Sequence, residues 1–230
     1  MFAARCAIGL ALLCACVAPA QEASEPASGR MWDNAIRAFE SGDAAAPPPE
    51  GSVLFVGSSS IRLWDLKQYF PRLSALNRGF GGSQMSDVNH YARRIVLPYK
   101  PGAIVLYSGD NDIAFGKTPE TVFEDYKQFF ALVAEALPET RLIVLGVKPS
   151  RARWKHIEAQ RALNRMIRER AAGLDQVIFI DTETPMLDEE GQPATTFYAA
   201  DGLHLSAKGY ELWAALVRPQ VCTPEQLLGE

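Results

Sequence analysis

"VLFVGSSSIRLW", residues 53–64, decides how the chain is to be read. Val53–Val56 is an unbroken aliphatic and aromatic run, the composition of a strand covered on both faces. Gly57 ends that run, and Ser58, Ser59 and Ser60 lead into a stretch with helical spacing. Serine is a poor strand residue and a good helix cap. The segment therefore reads as a buried strand turning into a helix, with three hydroxyls at the junction. Capping accounts for one of them; whether another reacts depends on partners elsewhere in the chain.

Outward from this stretch the same alternation recurs. Val53–Val56, Ala75–Asn77, Ala103–Tyr107, Leu142–Val147 and Val177–Ile180 are the expected strands. Helical patterns occupy Ser60–Tyr69, Met85–Val96, Pro119–Leu137, Trp154–Ala172 and Ser206–Val217. Thr118 before Pro119 is a strong helix start, a capping hydroxyl followed by proline at the first helical position. Such β-α alternation implies a parallel sheet with helices on both faces, and in such sheets sites form at the carboxyl ends of the strands.

The chain's ends carry other information. Residues 1–20 have one charge, Arg5, an apolar run from about Ala7 to Val17, and the small-x-small sequence Ala18-Pro19-Ala20, which together read as an export signal. The run is too short for a membrane-spanning helix, which needs ~20 residues. A second reading makes Leu13-Cys14-Ala15-Cys16 a lipid-attachment box, with Cys16 modified. Residues 21–50 read as an N-terminal linker in which "MWDNAIRAFESGD" forms a short helix packed on the body; residues 51–220 are the domain and 221–230 a tail. Cleavage after Ala20 removes Cys6, Cys14 and Cys16 and leaves Cys222, an inert thiol near the terminus, so no internal disulfide is expected. The formal net charge of −4 argues against nucleic acid as a partner, and no cysteine–histidine cluster calls for a metal.

Four segments at or after strand ends carry unusual polar groups: Gly57-Ser58-Ser59-Ser60, "NRGFGGS" at 77–83, "YSGDNDI" at 107–113 and "ADGLHLS" at 200–206. Together they supply a hydroxyl, a glycine amide, a carboxamide, and a carboxylate three residues ahead of a histidine. Those are the components of acyl transfer. Ser59 needs a base, His204; the base needs a carboxylate to hold its tautomer, Asp201. The backbone N–H groups of Ser59 and Gly82 and the side-chain amide of Asn111 are the candidate donors to an oxyanion.

In this order and spacing the chain resembles the SGNH hydrolases, also called GDSL esterases or lipases. Gly57-Ser58-Ser59, Asn77-x-Gly79-x-x-Gly82, Gly109-Asp110-Asn111-Asp112 and Asp201-Gly202-Leu203-His204 match its four blocks, over about residues 53–217. The resemblance implies a flavodoxin-like three-layer α/β/α sandwich whose five-stranded parallel sheet has the order 2-1-3-4-5. It also implies a serine hydrolase acting on carboxylic esters through an acyl-enzyme, with no cofactor and a small-molecule ester as partner. The family's first block usually reads Gly-Asp-Ser, whereas here Ser58 replaces the Asp. The Gly-x-Ser register selects Ser59 as nucleophile, with Ser58 second and Ser60 as the cap.

Competing readings attach to several residues. Asp181, at the end of the fifth strand, rivals Asp201 as the acid. His90 and His156 lie in charge-rich helical segments that read as solvated faces. Asp110 and Asp112 read as loop-structuring carboxylates. "KPSRARW", residues 148–154, reads first as a solvated basic loop and second as a binder of substrate anions. At the level of function, acyl transfer to another hydroxyl and a noncatalytic carbohydrate- or lipid-binding domain stand as alternatives to hydrolysis.

Overall fold

The computed structural model describes residues 29–227. Strands β1 (Val53–Gly57), β2 (Ala75–Gly79), β3 (Ala103–Tyr107), β4 (Arg141–Leu145) and β5 (Val177–Ile180) form one parallel sheet in the expected order β2-β1-β3-β4-β5. The helices are α1 (Gly29–Ala45), α2 (Ser59–Arg62), α3 (Leu66–Tyr69), α4 (Met85–Ile95), α5 (Asp110–Ala114), α6 (Pro119–Ala136), α7 (Ile157–Ala171), α8 (Ala207–Val221) and α9 (Pro224–Leu227). The leader read at residues 1–20, with Cys16, lies outside the described residues. Among those described, no helix is long and apolar enough to cross a membrane.

Alternation along the strands builds two cores. Leu54, Val56, Ile104, Leu106, Leu142 and Val144 point to one face, where α1, α4, α6 and α7 pack. Val53, Phe55, Val105, Tyr107, Ile143 and Leu145 point to the other, under α2, α3 and α8. The three central strands are buried almost throughout, which is why their sequences read as continuous apolar runs. Trp64, Tyr69 and Phe70 belong to the second core.

Departures from the expected boundaries have local causes. The helix expected over Ser60–Tyr69 splits because the Asp65 carboxylate accepts the N–H groups of Lys67 and Gln68 and starts a new helix there. The fourth strand stops at Leu145 rather than Val147, because the Asn164 carboxamide takes up both the N–H (2.7 Å) and the C=O (2.9 Å) of Val147. Helix α7 begins at Ile157, after a 3-10 segment over Arg151–His156. Gly57, at φ +138°, brings the end of β1 so close to β3 that a Cβ there would lie 1.9 Å from the Tyr107 carbonyl oxygen.

Helix α1 extends the helix expected over residues 31–43 by two residues at each end, to Gly29 and Ala45. Its polar side chains tie it to the body of the domain. Asp43 pairs with Arg78 and accepts the Tyr99 hydroxyl (2.5 Å), Glu40 takes a two-pronged bond from Arg94 (2.8 and 2.9 Å), and Asp33 accepts from Tyr91 (3.0 Å). Ile36 is fully buried between these contacts. Ile36→Ala should lower unfolding stability by about 2–4 kcal/mol in urea denaturation; a loss below ~0.5 kcal/mol would show that α1 is not part of the cooperative unit.

Candidate active site

The site begins with the sheet's register. Gly57 pairs with Gly79 on one side and Tyr107 on the other, so β1, β2 and β3 end at one level. Ser58 then forms the N-cap of α2, Ser59 its first residue and Ser60 its second; the expectation that Ser60 caps is corrected, the cap position lying two residues earlier. Ser60 is buried, and its carbonyl accepts the Tyr210 hydroxyl (2.9 Å). Ser59 faces a pocket of about 480 Å³ lined by Arg62, Gly82, Asn111, Arg153 and His204 among others. Its N–H stands in the first turn of a helix, where no earlier carbonyl is available to it.

His204 arrives from a loop on the far side of the chain, yet its Nε2 lies 3.1 Å from Ser59 Oγ, and its Nδ1 lies 2.6 Å from Asp201 Oδ2. An ionised carboxylate only accepts, so Nδ1 carries the proton and Nε2 is left as the acceptor for the serine hydroxyl. Asp201 is placed by its own turn: Oδ1 accepts the N–H groups of Leu203 (2.9 Å) and His204 (3.0 Å). These bonds, the His204 side chain foremost, hold its pKa down at about 2. Asp181 instead closes the turn after β5, accepting from Glu183 N–H and from the amide and hydroxyl of Thr184. The rival acid is elsewhere.

On the opposite wall, Gly82 has φ +82°, a conformation open to glycine at no steric cost. Asn111, in α5, donates to the Ser83 carbonyl (2.9 Å), which fixes its carboxamide beside the Gly82 loop and leaves a second N–H on the same nitrogen. The neighbouring Asp112 is fully buried; both its oxygens accept Met85 N–H at 3.1 Å and one meets Lys117 Nζ at 3.0 Å. Burial raises its pKa, and Lys117 opposes the rise. It ties α5 to the start of α4. Asn77, the first residue of the glycine block, does not reach the pocket: its amide donates to the carbonyls of Ile61 (2.7 Å) and Trp64 (3.1 Å), closing the end of α2.

Within the segment 148–154 Arg151 is exposed, but Lys148 and Arg153 overturn the reading as a solvated basic loop. Lys148 is 0 % exposed, 3.5 Å from Asp110 Oδ2 and over the Tyr107 ring at 5.8 Å. Arg153 lies 2.9 Å from Asp110 Oδ1, and Gln160 donates to the same oxygen (3.1 Å). The sequence reading missed this because Asp110 is 38 residues from Lys148. Arg153 still reaches the pocket wall, whereas Lys148 does not.

Comparisons with known proteins give the family. Residues 62–212 match the GDSL-like lipase/acylhydrolase family, and the chain belongs to that family. It is 31% identical over 172 residues to the platelet-activating factor acetylhydrolase IB subunit alpha1 of Bos taurus, covering 70% of this chain and 71% of the relative. A GDSL-like lipase from Bacteroides thetaiotaomicron superimposes with a TM-score of 0.67 at 21% identity, over 81% of this chain and 96% of that one. An acetyl-xylooligosaccharide esterase from Geobacillus Stearmophilus superimposes with a TM-score of 0.58 at 16% identity, over 76% and 96%. These two likenesses show a shared fold.

Two outcomes follow from the charges around the site. The Asp201 pKa lies below the unfolded value of ~3.9, so the stability its carboxylate confers is present above that pH and is lost as pH falls through about 2. In His204→Ala, the Asp201 midpoint read by carboxyl carbon NMR should rise, but stay below ~3.9 because the two backbone donors remain; a midpoint still at about 2 would contradict the assignment. Burial pushes the Lys148 pKa down against the pull of Asp110. Asp110→Asn strands that buried amine and should cost about 3 kcal/mol in denaturation. Lys148→Met leaves Asp110 with Arg153 and Gln160, and should change stability by less than ~1 kcal/mol.

Proposed function

We propose that the protein is a serine esterase that hydrolyses carboxylic esters through an acyl-enzyme. Membership of an acylhydrolase family supplies the reaction class. The observation that carries the mechanism is the unbroken chain from Asp201 Oδ2 through His204 to Ser59 Oγ, with steps of 2.6 and 3.1 Å, ending in an open pocket. Ser59 Oγ attacks the ester carbonyl while His204 Nε2 takes its proton, and Asp201 stabilises the imidazolium that forms. The N–H groups of Ser59 and Gly82 and the Asn111 amide receive the oxyanion. His204 then protonates the departing alcohol. Water, deprotonated by the same imidazole, releases the acid. No step calls for a metal or cofactor.

The substrate class is acyl or acetyl esters of small molecules, sugars or lysolipids, and the acetylhydrolase name of the relatives supports starting with acetyl esters. With residues 1–20 read as an export signal, the reaction belongs to the periplasm or the exterior.

A fluorophosphonate probe should label the protein on one serine, and Ser59→Ala should abolish labelling and lower kcat by a factor of 10³ or more. Asn111→Ala should lower kcat about 10²–10³-fold, as removal of one oxyanion donor does. Ester cleavage unchanged in folded Ser59→Ala protein, verified by circular dichroism, would refute the reading.

A further inference from the structure

A second groove, of about 330 Å³, opens beside the catalytic pocket and shares Gly81, Gly82 and Phe115 with it. Its other wall comes from Met31 and Trp32 of α1, which precede the segment matched by the family, residues 62–212. We propose that this groove binds the acyl chain of the ester and gives the enzyme a preference for esters of medium-length apolar acids over acetates. The inference rests on the esterase reading above and adds the acid part of the substrate.

The chemistry of the tetrahedral intermediate assigns the direction. Its carbon carries Ser59 Oγ, the oxyanion, the leaving oxygen and the acyl chain. The leaving oxygen must face His204 Nε2, which protonates it, and the oxyanion must face the Gly82 and Asn111 donors. The acyl chain departs on the side that His204 does not occupy. His204 lines the catalytic pocket but not the groove, which continues past Gly81 and Gly82.

The groove is also apolar where a chain would lie. Met31 is 73 % and Phe115 71 % exposed, two of the three large apolar side chains left open among the described residues, and both flank it. Polar groups beneath them are already engaged: Asp87 accepts Gln84 N–H (2.8 Å), and Ser86 Oγ accepts from Lys117 Nζ (3.0 Å). Trp32 is fixed rather than mobile. Its indole N–H donates to the Gly81 carbonyl (2.9 Å), and its ring meets Phe80 edge-on with centroids 5.9 Å apart. The Gly81 carbonyl and the Gly82 N–H belong to one peptide unit, so the groove wall and an oxyanion donor are held by the same bond.

The test is a series of nitrophenyl acetate, butyrate, hexanoate and octanoate with the full chain and with Met31→Ser/Phe115→Ser. For the native chain, kcat/KM should rise about two- to fourfold for each methylene that the groove buries. In the double variant that slope should flatten, so that the hexanoate-to-acetate ratio falls about tenfold or more. Fluorophosphonate labelling of Ser59 and the thermal midpoint verify that the variant is folded and its nucleophile competent. Cleavage of acetate as fast as or faster than hexanoate by the native chain overturns the inference and leaves the esterase reading standing. So does a hexanoate preference that survives in the labelled double variant. Absence of both cleavage and labelling in folded native protein instead removes the esterase reading itself.

Discussion

Parallel pairing in register is the constraint on which the site depends. Because Gly57 lies opposite both Gly79 and Tyr107, three strands finish at one level, and the three segments after them emerge side by side. Ser59, Gly82 and Asn111 sit within a few residues of those ends. A slip of one residue in either pairing would turn every side chain of the slipped strand to the opposite face and exchange the two cores. The alternation of Leu54 and Val56 with Val53 and Phe55, each pair buried under a different helical layer, forbids that slip. The geometry of the proposed oxyanion donors is thus secured by burial far from the pocket.

The histidine side is secured differently. No strand delivers His204; the segment that carries it is shaped by an aspartate that accepts two backbone N–H groups of its own turn and a ring N–H. One half-exposed carboxylate therefore sets both the position and the tautomer of the base. Asp110 and Asp112 show the contrast. Both are buried, one on each side of Asn111, and each is matched by cations and donors that hold α5 in place.

What could be read in advance followed from locality. Strands buried on both faces announce themselves as apolar runs, and Asp201 and His204 interact within a three-residue turn, so sheet order and the candidate triad were both legible. Interactions between distant segments were not. The basic character of residues 148–154 looked like a solvated loop because the carboxylate that neutralises Lys148 and Arg153 comes from another strand end. For α1 the helix over residues 31–43 was legible but the contacts that hold it were not: Asp43 meets Arg78 and Tyr99, 35 and 56 residues away.

Ser58, where the family usually has aspartate, is intelligible in these terms. It is buried and occupies the N-cap of α2 with extended backbone, but its side chain makes no capping bond to the first turn. An aspartate in that place would put an acceptor-only anion at the start of α2, next to Ser59, whose N–H is one of the proposed oxyanion donors. A neutral hydroxyl adds no charge there. In the proposed catalytic chain the negative charge is then carried by Asp201, which His204 separates from Ser59.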